Sequence, residues 1–285
     1  MTVKEVLNSA IDFFKKQNID NPRLDAEVLL AHLLDMERIQ LYVKYDLPLK
    51  NKEVEAYREM VINRARGIPV AYLTGHKEFM SLDFKVNRSV LIPRPETEIL
   101  VEEIISLCQA KNIDNPNIVD VGTGSGVIAV SLAHYLPGAR VLGIDISDKA
   151  LEVARTNIKR HNLGERVKVI KGNLLDPLIK MEKDNVNIVV SNPPYLTGNE
   201  MKKLPLEVTY EPSQALDGGA DGLKIYRELI PRALKVLVPG GILGLEIGYH
   251  QADSIRDILS GLPWGDIRVL QDYSGLDRVV IARKK

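Results

Sequence analysis

The chain has 285 residues, of which 45% are hydrophobic and 27% are charged, as in ordinary soluble globular proteins. Lys and Arg together number 38, and so do Asp and Glu, so the zero net charge argues against a protein whose main task is to hold nucleic acid. One cysteine, Cys108, excludes an internal disulfide, and the five scattered histidines lack the spacing of metal ligands. Without a signal pattern or a long apolar run, the sequence leads us to expect a cytoplasmic protein.

The first 75 residues carry apolar residues at helical spacing and predict a small helical bundle. Its three apolar stripes are Val3, Val6, Leu7, Ala10, Ile11 and Phe14; Leu24, Val28, Leu29, Leu33 and Leu34; and Val54, Tyr57, Met60 and Val61. Residues 76–94 alternate apolar and polar residues over short stretches, as a hairpin does. A long helix then begins at Pro95, because proline suits the first helical position, and Glu96 and Glu98 suit the positive end of the helix.

From residue 116 onward, predicted strands alternate with predicted helices. The strands lie near residues 117–121, 140–145, 167–171, 186–191 and 241–247, and the helices near 125–135, 148–161 and 222–237. This alternation predicts a parallel sheet covered on both faces. Residues 266–284 hold two further strands with no room for a helix between them, so they must pair antiparallel. The predicted fold class is α/β, and it resembles the seven-stranded, Rossmann-like class I methyltransferase sheet, preceded by the helical bundle.

A glycine-rich turn, "DVGTGSG", joins the first of these strands to a helix. Glycines at such a turn let the backbone approach a ligand and expose the amides at the helix N-terminus. Gly122, Gly124 and Gly126 follow a G-x-G-x-G spacing, whereas the dinucleotide fingerprint needs G-x-G-x-x-G and finds Val127 at its last position. NAD is therefore the less natural ligand. Asp120, just before the turn, is expected to receive an ammonium group or to brace the glycines.

An acidic residue follows at the end of the next strand. Asp145 stands 19 positions after Gly126, where a carboxylate accepts hydrogen bonds from two ribose hydroxyls. S-adenosylmethionine has free 2′ and 3′ hydroxyls and fits this pair of features. Asn173 and Leu174, after the third strand, are expected beside the adenine, although a plain turn explains them equally well, and Asp148 is interpreted as a helix N-terminal acid.

The fourth strand ends in "SNPPY", a stiff segment that cannot pair as a strand, because prolines lack the N–H donor and have a fixed φ. Asn192 and a proline-fixed carbonyl can accept both hydrogens of a planar NH2 group, and Tyr195 can stack on its plane. Two acceptors placed out of that plane favour the pyramidal nitrogen of a methyl-transfer transition state. The motif resembles the (Asn/Asp)-Pro-Pro-(Tyr/Phe) signature of methyltransferases acting on adenine, cytosine or glutamine. By itself, it does not choose among those acceptors.

Several longer stretches carry a closer resemblance, which covers nearly the whole chain. They are "NPRLDAEVLLAHLL", "RARGIPVAYLTGHKEFMSLDFKV", "VLIPRPETEILVE", "DVGTGSG", "SNPPY", "YEPSQALDGGADGLKIYREL", "LEIGYHQ" and "DYSGLDRVVIA". Together they resemble the peptide chain release factor glutamine methyltransferases (the PrmC/HemK family). The resemblance implies methyl transfer from S-adenosylmethionine to the side-chain nitrogen of the glutamine in the Gly-Gly-Gln motif of bacterial class 1 release factors.

Roles of individual residues follow from the resemblance. The cofactor-binding set is Gly122, Thr123, Gly124, Ser125, Gly126, Asp145, Asn173, Leu174 and Asn192. The catalytic and substrate-binding set is Asn192, Pro193, Pro194 and Tyr195, with Phe79 and the 94–97 stretch lining the site from the linker side. A core aromatic and a helix cap explain Phe79 and the 94–97 stretch equally well. The family often has an acidic residue and an aromatic where Asn173 and Leu174 stand.

The expected organisation is a helical substrate-recognition domain (1–75), a hairpin linker (76–94) and a methyltransferase domain (95–285). We expect a monomer that uses release factors as its protein substrate, with no membrane association, no metal and no stable nucleic-acid binding. A methyltransferase acting on bases would need a target-recognition region and a basic groove, which the sequence lacks. An S-adenosylmethionine-binding regulator would not need the intact Asn-Pro-Pro-Tyr motif.

Overall fold

A computed structural model describes all 285 residues of the chain. The chain forms two compact units. The helical unit comprises residues 1–76 and a later segment, residues 205–210. The α/β unit comprises residues 77–204 and 211–285.

Five helices build the helical unit. They are α1 (Val3–Lys16), α2 (Pro22–Leu33), α3 (Arg38–Val43), α4 (Asn51–Ala65) and α5 (Val70–Thr74). Thr2 and Glu5 form a reciprocal capping box that starts α1, and Pro22 opens α2. The apolar stripe predicted for α1 is its buried face, and it packs on one core with residues from α2 and α4. The short helices α3 and α5 carry no apolar stripe and were not expected.

The 205–210 segment packs within the helical unit although it lies far along the chain. Arg64 is 4% exposed and donates from Nε to Asp25 over 2.6 Å and from Nη2 to Glu207. Leu206 lies so close to Gly67 that a Cβ there would meet its Cδ2 at 2.6 Å. The buried Arg64 thus joins a helix of the bundle to a segment more than a hundred residues later.

The α/β unit contains the sheet and the helices that cover it. A two-stranded hairpin of β1 (His76–Phe79) and β2 (Leu82–Lys85) comes first. The further strands are β3 (Asn117–Val121), β4 (Arg140–Asp145), β5 (Val167–Lys171), β6 (Val186–Ser191), β7 (Leu237–Glu246), β8 (Trp264–Gln271) and β9 (Asp277–Lys284). The helices are α6 (Pro95–Ala110), α7 (Val127–Tyr135), α8 (Asp148–Arg160), α9 (Asp176–Lys180), α10 (Gly198–Met201), α11 (Lys224–Val236) and α12 (Ala252–Ser260). Two 3-10 turns follow α10: Val208–Tyr210, which belongs to the helical unit, and Ser213–Ala215.

The seven strands β3 to β9 form one sheet in the order β5-β4-β3-β6-β7-β9-β8. The first five strands pair parallel, and β9 pairs antiparallel with both β7 and β8. This topology confirms the predicted class I methyltransferase sheet. The chain runs from β3 outward to β5 and then crosses to β6 on the other side of β3, which creates a switch point between β3 and β6.

Both faces of the sheet are covered. Ile118, Ile188 and Ile242 point into a core shared with α6 and α7, while their strand neighbours Val119, Val189 and Leu243 point into a core shared with α11 and α12. Burial on both faces explains why these strands are continuous apolar runs.

The start of one strand and the presence of one helix differ from the expectation. Strand β7 begins at Leu237, four residues before its predicted start, because the chain re-enters the sheet through an irregular pairing beside β6. The Pro-Gly-Gly sequence there is typical of a loop, which hid this pairing. Helix α12 is amphipathic but was not predicted.

Candidate active site

A cavity of about 530 Å³ lies at the carboxyl edge of the sheet, at the switch point. It is lined by the segments that follow four strands, residues 121–125, 144–147, 172–174 and 191–194. Residues from the 89–97 stretch and from the 212–228 stretch complete its wall. The glycine turn, the acidic residue after β4 and the Asn-Pro-Pro segment therefore meet around one space.

The glycine turn has the conformation that its residues predict. Gly122, Gly124 and Gly126 have φ values of +72°, +55° and +83°. A Cβ on Gly122 would meet no atom within 4 Å, and one on Gly124 only a carbonyl oxygen at 3.9 Å, so these two residues border open space. Gly126 lies outside the cavity lining, and its Cβ would meet Ala154 Cβ at 3.2 Å. The first two glycines therefore leave room for a ligand, and the third lets α7 pack closely on α8.

The Asp145 carboxylate is held in place by backbone amides. Its Oδ2 accepts from Gly124 N and its Oδ1 from Ser147 N, each over 2.9 Å. Each oxygen keeps a further lone pair at the cavity wall, so the group can still accept two hydroxyl donors. Asn173 and Leu174 also line the cavity, and Leu174 has a left-handed φ of +50°.

Asp120 braces the glycine turn. Its Oδ2 accepts from Thr123 Oγ1 over 2.6 Å, while its Oδ1 is buried without a hydrogen-bond partner. Burial raises the pKa of Asp120 to about 7. The carboxyl group is fully buried and is not part of the cavity wall, so bracing is the role that its contacts favour over capture of an ammonium group.

The Asn-Pro-Pro-Tyr segment divides between the cavity and the core. Asn192, Pro193 and Pro194 line the cavity, whereas Tyr195 packs half-buried against the core on the α11 side. The Tyr195 carbonyl accepts from Gln251 Nε2 over 3.0 Å, which anchors the end of the segment. Burial raises the pKa of the Tyr195 phenol, so it stays neutral. The stacking expected of Tyr195 on a planar acceptor is therefore not part of the cavity geometry.

Two residues orient Asn192: Thr97, from the 94–97 stretch that was expected to line the site, and Glu246, to which the sequence analysis gave no role. Asn192 Nδ2 donates to Thr97 Oγ1 over 3.1 Å, and Thr97 Oγ1 donates to Glu246 Oε2 over 2.5 Å. Glu246 ends β7 and is 2% exposed, and burial raises its pKa to about 7. The "LEIGYHQ" stretch contains both Glu246 and Gln251. This motif, noticed only for its resemblance, therefore holds the Asn-Pro-Pro-Tyr segment through contacts at Asn192 and at the Tyr195 carbonyl.

The two most distinctive stretches of the sequence, "IPRPETE" and "YEPSQAL", meet through Glu211. The buried Glu211 carboxylate accepts from Ile92 N over 2.9 Å and pairs with Arg94, which lines the cavity. This contact fixes the loop that precedes α6. It explains why both stretches are needed to shape one wall.

Phe79 was expected to line the site from the linker side, and the structure places its ring in the core. The side chain is 1% exposed and packs edge-on against Phe84, with ring centroids 6.2 Å apart. It does not line the cavity. The ring packs among apolar residues of the core beside α6, which fits the alternative interpretation of Phe79 as a core aromatic.

Comparisons with known proteins agree with this geometry. The family described as "PrmC N-terminal domain" matches residues 5–75, and the one described as "Methyltransferase small domain" matches residues 96–219. A release factor glutamine methyltransferase from Moorella thermoacetica is 42% identical over 100% of this chain and 99% of that protein. The chain belongs to the release factor glutamine methyltransferase family.

Further matches support this assignment to the release factor glutamine methyltransferases. The relative from Geobacter sulfurreducens is 41% identical over 99% of this chain and 96% of its own. A solved methyltransferase structure from Pyrococcus furiosus has a TM-score of 0.55 at 20% identity, covering 73% of this chain and 91% of that one, and it shows the shared fold. The resemblance noticed in the sequence is confirmed. No helix in the chain has both the length and the apolar character needed to span a bilayer.

Proposed function

We propose that this protein transfers a methyl group from S-adenosylmethionine to the side-chain amide nitrogen of the glutamine in the Gly-Gly-Gln motif of class 1 release factors. The observation that carries the proposal is the family match along the full chain, together with Asn192 at the wall of the cavity. Relatives that match over the whole length bear the name of this activity.

The residues around the cavity fit S-adenosylmethionine. The open space beside Gly122 admits a ligand against the backbone, and the remaining lone pairs of Asp145 suit two ribose hydroxyls. Asn173 and Leu174 are proposed to lie beside the adenine, and Thr123 and Ser125 complete the glycine-turn contacts. When bound, this cofactor supplies an electrophilic methyl group.

The acceptor amide is proposed to bind at Asn192. Its Nδ2 is committed to Thr97, which leaves Oδ1 to accept an N–H of the glutamine side chain. The carbonyls of Pro193 and Pro194, fixed by their ring geometry, provide the second acceptor. Acceptors that favour the pyramidal nitrogen over the planar amide stabilise the transition state more than the ground state. Fixing the nitrogen in line with the methyl group adds a proximity effect. No general base is required before transfer, because the nitrogen can lose its proton afterwards.

The helical unit is proposed to choose this glutamine among others by contacting the body of the release factor. A glutamine on a loop of a folded protein is not distinguished by its amide alone, so a second surface is needed. The proposed arrangement is a recognition domain over 1–75, a linker over 76–94 and the methyltransferase domain over 95–285, acting as a cytoplasmic monomer.

Methyl transfer from labelled S-adenosylmethionine tests the proposal. The acceptors are an intact release factor, the same factor with its Gly-Gly-Gln glutamine replaced by alanine, and duplex DNA. We expect label on the intact factor alone, and we expect Asn192→Ala to remove it by weakening transfer about 100-fold, the usual effect of losing one preorganised polar contact in a transition state. Label on DNA with none on the factor would assign the site to a nucleobase instead.

A further inference from the structure

The side chain of Asn192 has two ends of almost the same shape, an oxygen that accepts hydrogen bonds and an NH2 group that donates them. Only the oxygen can accept an N–H of an acceptor amide. A flipped side chain would set one NH2 group against another. The proposed function, on which this inference rests, therefore requires the protein to select one orientation of Asn192.

Two consecutive hydrogen bonds make that selection. Asn192 Nδ2 donates to Thr97 Oγ1 over 3.1 Å, and Thr97 Oγ1 donates to Glu246 Oε2 over 2.5 Å. An ionised carboxylate only accepts hydrogen bonds, so the single hydroxyl hydrogen of Thr97 goes to Glu246. The hydroxyl oxygen can then only accept, and the atom of Asn192 that faces it must be the nitrogen.

The burial of Thr97 and Glu246 leaves the Asn192 amide one orientation, with its nitrogen toward Thr97. Thr97 is 3% exposed and Glu246 is 2% exposed, so water does not supply alternative partners. Glu246 does not line the cavity, so it acts on the side chain of Asn192, through Thr97 and through its own hydrogen bond with Asn192, and not on the ligands. Charged or titratable groups approach Glu246 from four sides: Glu96 on α6, Arg278 on β9, Tyr226 on α11 and Tyr195 after β6.

We propose that Glu246 is a positioning residue for methyl transfer, which acts through the Thr97 hydroxyl to hold Asn192 with its nitrogen turned away from the acceptor and its oxygen available to it. The orientation of the amide is thereby set by a buried carboxylate that does not touch the acceptor itself and that also receives a side-chain hydrogen bond from Asn192.

The protonation state of Glu246 then controls the selection. Burial raises the pKa of this group to about 7, against the smaller lowering effect of the Thr97 hydrogen bond. A protonated carboxyl group can itself donate to Thr97, which releases the hydroxyl hydrogen and lets Asn192 flip. We therefore expect kcat to fall as the pH drops through about 7, and to level off above it.

Four variants of the full chain test the proposal. Thr97→Val removes the hydroxyl at constant shape, Thr97→Ser restores it, and Glu246→Gln replaces the acceptor-only group with one that can also donate. Thr156→Val is the matched control, because the Thr156 hydroxyl donates only to a carbonyl on an exposed helix face. We measure kcat and KM on an intact release factor, the pH profile, and the affinity for S-adenosylhomocysteine.

Thr97→Val is expected to lower kcat roughly 10- to 100-fold, by analogy with the loss seen when hydrogen-bond partners that orient metal ligands are removed. Thr97→Ser should recover most of that loss, and Glu246→Gln should lower kcat and remove the decline below about pH 7. Cofactor affinity and KM should change far less than kcat. Full kcat in Thr97→Val, or an unchanged acid limb in Glu246→Gln, would overturn the proposal.

A readout without any substrate separates this inference from the proposed function. The NMR signals of the Asn192 side-chain amide, assigned by their loss in Asn192→Asp, should shift with pH around about 7 in the wild-type protein and not in Glu246→Gln. If the wild-type protein fails to methylate the factor while these signals behave as expected, the assignment of function is wrong and the positioning of Asn192 stands. If the Asn192 side-chain amide signals do not change with pH and are the same in Thr97→Val as in the wild-type protein, the positioning role is wrong.

Discussion

At the cavity, side chains are held in place by hydrogen bonds to the protein but keep acceptor atoms that a ligand can use. Asp145 is gripped by two backbone amides yet keeps lone pairs for a ligand, and Asn192 spends its nitrogen on Thr97 and keeps its oxygen. Side chains that are held in this way lose little freedom when a ligand binds, so more of the contact energy remains for orienting it. Preorganisation is thus visible in single hydrogen bonds.

Asp120 makes the stability of the ligand-free protein depend on pH. Its pKa rises from 3.8 to about 7 on burial, so between these values the unfolded chain releases a proton that the folded protein keeps. The free energy of unfolding should therefore decrease as the pH rises through this window, and Asp120→Asn should flatten that decrease. Urea unfolding at about pH 5 and about pH 8 measures it. The exposed Asp12→Asn is the control, and an unchanged slope in Asp120→Asn would contradict the assignment.

Elements meet at the site through contacts that join distant parts of the chain. Helix α6 brings Thr97 to the end of β7, 149 positions before Glu246, and Glu211 ties the loop before α6 to a loop after β6. The walls of the cavity therefore depend on how helices and loops dock on the sheet.

Gly126→Ala tests the packing of α7 on α8. The residue has a φ of +83°, and a Cβ would meet Ala154 at 3.2 Å, so we expect a loss of about 1–2 kcal/mol in the free energy of unfolding. Gly164→Ala is the matched control, because Gly164 lies outside the left-handed region and a Cβ there meets nothing within 4 Å. Equal stability of the two variants would argue against the close approach.

Glu211→Ala tests the tie between the two distinctive stretches. The change leaves the Ile92 amide without its partner and Arg94 without its counter-charge, so unfolding should become easier by about 2–3 kcal/mol. Lys171→Ala, which removes an exposed ion pair with Asp148, should have no measurable effect in the same denaturation experiment. A neutral Glu211→Ala would mean that the loop is held by other contacts.

Local sequence signals predicted the elements and the part of the site that follows single strands. Four of the five parallel strands lie where apolar runs placed them, and the glycine turn, Asp145 and Asn192 come together because parallel strands end at one edge of the sheet. The pairing of Thr97 with Glu246 has no local signal, because it depends on the docking of α6. Tyr195 and Phe79 show the same limit, since burial and not residue type decides whether an aromatic ring faces a ligand.

At the scale of the whole molecule, the helical unit is built from two separate parts of the chain, residues 1–76 and residues 205–210. Residues 205–210 lie between the Asn-Pro-Pro-Tyr segment and Glu211, yet they belong to the helical unit, held by Arg64. No periodicity in the sequence indicates that this short segment belongs to the helical unit. A deletion of residues 1–75 would strip this segment of its partners as well as removing the proposed recognition surface, so point substitutions test recognition more cleanly.

Two exposed apolar residues of α3 suit that test. Ile39 is 63% exposed and Val43 is 81% exposed, so replacing both with serine removes contact surface without opening the core. If the helical unit grips the release factor there, KM for the intact factor should rise roughly fivefold or more, the effect of losing about 1 kcal/mol of contact energy, while activity on a short Gly-Gly-Gln peptide stays the same. Met181→Ser, at a residue of similar exposure in the other unit, is the control. An unchanged KM would place recognition elsewhere.

The central claim is that Asn192 directs a methyl group onto one glutamine amide. Tandem mass spectrometry of an intact release factor, after a single turnover with S-adenosylmethionine, tests it most directly. The account predicts one added methyl group on the side-chain nitrogen of the Gly-Gly-Gln glutamine with the wild-type protein, and almost none in the same time with Asn192→Ala at a saturating cofactor concentration. A methyl group on another residue, or equal modification by Asn192→Ala, would contradict it.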